Sequence, residues 1–122
     1  MILPLTQPPL NKPTMHLDDE PFSLIKEGRK TIEVRLNDAK RQTIEIGHII
    51  KFINNKTEET LEAKVIDLLK YPDFNSLLDS YDIALFGSNN KELFLQKLRG
   101  YYLEEDEKEN GVVGIKIKVL ES

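Results

Sequence analysis

Along the chain, apolar residues recur with two periods: every second residue in several stretches, and three or four apart in the short segments between them. The alternation is cleanest after Gly111, where Val113, Ile115, Ile117 and Val119 alternate with Gly114, Lys116, Lys118 and Leu120 and predict a strand over 112–120. Gly47 precedes His48 to Ile53, rich in β-branched residues, and Asn54-Asn55-Lys56-Thr57 reads as a hairpin turn. The partner strand runs from Thr60 to Leu69, with Leu61, Ala63, Val65 and Asp67 on one face. Between Lys30 and Leu36 the two faces differ most: Ile32, Val34 and Leu36 point one way, Thr31, Glu33 and Arg35 the other. Thr14 to Leu17 is a short strand candidate.

The intervening segments read as short helices. Asp18 or Asp19 caps the first, Pro21 fits its first turn, Phe22, Leu24 and Ile25 form its apolar stripe, and Gly28 supplies a left-handed stop. Asp73 caps a second, through Leu77 and Leu78 to about Ser80. Asn89 or Asn90 caps a third, carrying Leu93, Phe94 and Leu98 and stopped at Gly100. Asn37 to Thr43 is a polar connector, and Glu104 to Glu109 reads as a solvated acidic loop. Four or five strands with short helices inserted among them predict an α+β domain on a small, strongly bent, mostly antiparallel sheet or barrel. There is no glycine-rich phosphate loop, internal repeat or heptad run. Residues 1–13 hold four of the six prolines and read as an extended arm, leaving 14–122 as the folded domain.

Size and charge narrow the picture further. A chain of 122 residues suits one domain, and its 39% hydrophobic and 31% charged content is ordinary for a globular protein. No apolar run is long enough to span a membrane, the first residues do not read as a secretion signal, and cysteine is absent; a cytoplasmic protein is expected. The net charge of −4 is unevenly spread. Lys26 to Arg41 holds six basic residues against three acidic ones, whereas Glu104 to Glu109 holds five acids and one lysine. A local basic patch of this size can meet phosphate but cannot sustain tight binding of long duplex DNA, which needs many phosphate contacts.

The charged strand concentrates the chemistry. Glu33 and Arg35 lie on one face, roughly 7 Å apart along a strand, with Lys30 just before it. They can pair with each other, or with Lys40 or Arg41, as a purely structural ion network. They can also serve a ligand: Arg35 offers a planar fork, Lys30 a mobile charge, and Glu33 an acceptor for an exocyclic amine. The order of a strand with His16-Leu17, a helix with Pro21-Phe22 and Ile25, Gly28-x-Lys30-x-x-Glu33-x-Arg35, Gly47 before a strand, and a closing Gly111-Val-Val-Gly-Ile115 strand resembles the ASCH domain from about Thr14 to Leu120. The resemblance implies a PUA-like β-barrel with a cleft beside it, lined by the signature lysine, glutamate and arginine and suited to RNA or a modified nucleobase or nucleoside. On that basis Gly28, Lys30, Glu33 and Arg35 are the expected ligand-binding residues, joined on their own chemistry by Arg41, which extends the basic rim toward a phosphate, and Tyr101, a candidate to stack.

One branch of the fold is an amidohydrolase that removes an acetyl group from modified cytidine with a lysine and a threonine three residues later. Here Lys30 matches, but Glu33 occupies the threonine place. A hydrolase on an acylated nucleoside would need Thr31 as nucleophile with Lys30 as base, or Glu33 activating water. Nuclease action is the other chemistry suspected of relatives. A protein-interaction or regulatory module is a third reading, in which the arm or the acidic loop would matter more than the cleft. His16 and His48 are too few for a histidine metal site, so neither metal nor cofactor is expected. Tyr71, Tyr81, Tyr101 and Tyr102 are candidates to stack on bases, whereas Phe52 and Phe86 read as buried.

Overall fold

A computed structural model describes residues 13–120. Apart from Pro13, the proline-rich arm therefore lies outside the described residues. The elements run β1 (Thr14–Leu17), α1 (Asp19–Lys26), β2 (Ile32–Leu36), β3 (Ile49–Asn54), β4 (Thr60–Tyr71), α2 (Phe74–Asp79), α3 (Lys91–Tyr101), α4 (Glu104–Asn110) and β5 (Val112–Val119), with one-turn helices at Arg41–Thr43 and Ile83–Phe86. The strands form one curled sheet in the order β1-β3-β4-β5-β2, parallel between β1 and β3 and antiparallel elsewhere. This is the bent α+β half-barrel expected from the pattern.

Alternation splits the core in two. Met15, Phe22, Ile25, Ile50, Phe52, Val65, Ile115 and Ile117 fill one side of the curl. Ile32, Val34, Leu36, Phe74, Leu77, Phe86 and Leu98 pack between the other side and the helices. The three apolar residues of β2 thus bury together, as their spacing requires. Gly114 lets α2 approach the sheet, since a Cβ there would meet Ile32 Cγ2 at 3.0 Å and Leu77 Cδ1 at 3.2 Å.

Several local expectations are corrected. The Leu61, Ala63, Val65 face does not continue to Asp67. A register shift between Val65 and Asp67 leaves Ile66 exposed and brings Leu68 against the core instead, as a bulge does where a strand must bend. Gly100 does not end α3, which runs on to Tyr101. Tyr102 turns extended instead, its N–H donating to the Leu98 carbonyl, while its ring packs with the second core. Asp18 stands at the N-cap of α1 without a side-chain cap bond, because its carboxylate accepts from Tyr101 Oη at 3.2 Å and Asn55 Nδ2 at 3.3 Å. Asp73 and Asn90 do cap α2 and α3, accepting from Ser76 N and Leu93 N. The acidic run is not a loop. It forms α4, whose Glu107 is 4% exposed, accepts from Phe74 N at 2.7 Å and pairs with Arg99. One carboxylate of the run has internal partners strong enough to override its solvation.

Candidate functional site

Gly28 closes α1 with φ of +78°, a backbone that glycine adopts without a steric penalty, and the chain turns directly into β2. Lys30 and Leu24 anchor that turn, with Arg29 N and Lys30 N both donating to the Leu24 carbonyl. Along β2 the apolar residues face the helices, so Glu33 and Arg35 face the opposite side. Because β1 and β2 are the two ends of the strand order, that side is the open edge of the curl. Arg35 spans it, donating from Nη2 to the His16 carbonyl of β1 at 3.2 Å.

At this seam three ionised side chains meet. Glu33 Oε1 lies 3.1 Å from Lys30 Nζ, and Glu33 Oε2 accepts from Arg35 Nε at 2.7 Å. Lys30 and Glu33 are 7% and 5% exposed. Burial acts to raise the Glu33 carboxyl, but the charges and hydrogen bonds of Lys30 and Arg35 prevail and hold it below the usual carboxylate range. Burial likewise works against the Arg35 guanidinium, and Glu33 more than offsets it, so Arg35 binds its proton more tightly than usual. The pair is therefore ionised at neutral pH. The Lys30 ammonium also lies 5.4 Å from the Phe94 ring centroid, and its stem passes Gly87, where an added Cβ would meet Lys30 Cδ at 3.0 Å.

The cluster lines an open cleft of about 1420 Å³ between the seam, α1 and α3, with the buried Lys30 and Glu33 as its floor. Of the residues singled out from sequence, His16, Lys30, Glu33, Arg35, Tyr101 and Tyr102 line it. Gly28, Thr31 and Arg41 are not among its lining residues. The Thr31 backbone is bonded on both sides, its N–H donating to the Leu85 carbonyl and its carbonyl accepting from Ile117 N. Arg41 pairs with Asp38 at 3.4 Å and does not extend the Glu33 network; Lys40 is exposed. Tyr101, 71% exposed, stands at the rim, where its hydrogen bond to Asp18 pushes its phenol up. Tyr102 lies deeper, its phenol pushed up by burial. Phe52 and Phe86 are both fully buried, yet Phe86 borders the cleft.

Sequence reasoning missed the wall made by Gly87, Ser88, Asn89, Asn90 and Phe94. Asn90 was legible only as a cap and Phe94 only as core. The available signal was Gly87 after Phe86: its φ of +82° ends the Ile83–Phe86 turn and redirects the chain against Lys30.

A family model described as the ASCH domain matches residues 15–121. No curated protein matches the chain. The crystal structure of hypothetical protein PH0355 is similar at 38% identity and a TM-score of 0.78, covering 88% of this chain and 97% of that one. The solution NMR structure of protein PF0455 from Pyrococcus furiosus is similar at 37% identity and a TM-score of 0.72, covering 90% and 98%. The crystal structure of ASCH from Zymomonas mobilis shares the fold at a TM-score of 0.64, 16% identity and coverage of 86% and 65%. Since the family model spans almost the whole chain and its neighbours share the curled sheet, this protein belongs to the ASCH domain family, with its PUA-like fold.

Proposed function

We propose that this is a cytoplasmic domain that binds single-stranded RNA or a modified nucleoside in the cleft around Lys30, Glu33 and Arg35. The observation that carries this reading is the buried triad at the seam: two cations share one carboxylate, leaving one positive charge in excess beside aromatic side chains. Buried charge of that kind is costly unless something meets it, and an unpaired base with its phosphate offers both a stacking face and oxygens. A cleft of about 1420 Å³ also exceeds the roughly 300–1,000 Å³ of ordinary small-molecule pockets, leaving room for flanking backbone. The exposed Tyr101 ring at the rim supports stacking on a base.

Titration of the protein with short single-stranded RNA and a panel of nucleosides tests the reading. Arg35→Ala is expected to weaken binding by about tenfold or more, the worth of a charge-assisted hydrogen bond. Affinities identical to those of the unmodified protein would overturn it.

A further inference from the structure

We propose, resting on that binding reading, that the cleft floor reads a base edge carrying two adjacent hydrogen-bond acceptors, and that its preferred ligand class is a 6-oxopurine offering O6 and N7. The inference comes from counting what the triad has left. Glu33 is the acceptor of the floor, and both its oxygens are engaged, Oε1 by Lys30 at 3.1 Å and Oε2 by Arg35 at 2.7 Å. The exocyclic-amine role expected of it would therefore have to compete with both cations. The His16 carbonyl is likewise taken, by Arg35 Nη2. A lysine carries three donors and an arginine five. Among the described residues, Lys30 spends one on Glu33, and Arg35 spends one on Glu33 and one on His16.

What the triad has left is therefore mostly donors, about five N–H groups on Lys30 and Arg35 against about two lone-pair sites on Glu33, with one positive charge in excess. A base that presents an amine there sets N–H against N–H and leaves both unpaired in a buried place. A base that presents two neighbouring acceptors gains charge-assisted hydrogen bonds from both cations. Guanine and hypoxanthine present O6 beside N7, the edge that arginine and lysine contact most often; adenine presents N7 beside an N6 amine, uracil separates its two oxygens by an N–H, and cytosine pairs O2 with N3 but sets its N4 amine next to them, which makes cytidine the discriminating competitor. The stem of Lys30 lies against Gly87 and its ammonium over the Phe94 ring, which limits where its donors point. An oxygen acceptor can also come from a phosphate, and the two sources are separable by experiment.

The full chain is titrated with inosine, adenosine, 7-deazaguanosine, cytidine and inorganic phosphate, following amide chemical shifts of the cleft residues. Inosine is expected to bind about tenfold or more tighter than adenosine and 7-deazaguanosine, since each of those leaves a floor donor unmet. Lys30→Met, which keeps an unbranched stem beside Phe94 and removes the donors, is expected to bring the inosine-to-adenosine ratio close to one. Should that variant fail to fold, Arg35→Lys, which keeps the charge and removes the fork, is expected to lower the same ratio. Adenosine or cytidine binding as tightly as inosine overturns the preference while leaving the binding reading intact. Inorganic phosphate matching inosine and displacing it also overturns it, assigning the floor to an oxyanion. If neither the nucleosides nor single-stranded RNA bind, the binding reading itself fails and this inference with it.

Discussion

Glu33 and Glu107 are both buried glutamates bonded to an arginine, and they do different work. Glu107 gives one oxygen to Arg99 and the other to Phe74 N, the first backbone N–H of α2. Arg99 is about one-third exposed and lies over the Phe74 ring, so the pair balances to zero, satisfies a helix end and pins α4 to α2. Glu33 gives both oxygens to cations, and neither cation is otherwise neutralised within the triad. It faces a cleft, where Glu107 faces a helix terminus. The difference lies in charge balance: a buried carboxylate matched one to one closes a structure, whereas one that holds two cations leaves a surplus aimed at whatever enters.

Removing each carboxylate separates the two roles. Glu33→Gln leaves two buried cations without a counter-charge and is expected to cost about 4 kcal/mol in urea unfolding, near the upper end for breaking a buried pair. Glu107→Gln strands a one-third-exposed arginine and weakens one helix-end bond, an expected loss of about 2 kcal/mol with ligand affinity unchanged. A larger loss at Glu107 than at Glu33, or a loss of binding in Glu107→Gln, would break the comparison. Gly87→Ala presses a Cβ onto the Lys30 stem at 3.0 Å from a left-handed backbone, with about 2 kcal/mol expected and a cleft perturbed around Lys30. Equal stability in thermal melts would show that Gly87 does not hold the lysine.

Acid tests the Glu33 pairing directly. Glu33 is depressed in the folded protein below the unfolded value near 4.5, so its contribution is fully present above that value. It is lost as the pH falls through the lower folded value. Urea stability measured below pH 4.5 should drop more steeply in the unmodified protein than in Glu33→Gln, and parallel profiles would contradict the assignment. The smallest effect is expected at the rim. Tyr101→Phe removes one exposed hydrogen bond to Asp18 and should change stability by no more than about 0.5 kcal/mol, while keeping the stacking ring. A large loss of RNA affinity in that variant would move recognition from the ring face to the hydroxyl.

Alternation and capping are local properties, which is why β2 and β5, the Asp73 and Asn90 caps and the Gly28 stop could be read directly from residue order. The spacing of Lys30, Glu33 and Arg35 likewise placed two charges on one strand face and a third at its entrance, and the bent α+β sheet followed from strand count and helix length. Other features depended on distant partners. Glu107 looked like four neighbouring acids until Arg99 and Phe74 N selected it. Asp18 left its capping role because Tyr101, 83 positions away, reached it. Arg41 went to Asp38, Thr31 fell outside the cleft wall, and the bulge at Ile66 appeared only where β4 bends between two neighbours. Sequence determined which groups carry charge and which face of a strand they share. Only the tertiary structure decided how many partners each charge meets, because a hydrogen bond or ion pair is satisfied by proximity in space, and the curl of the sheet sets that proximity.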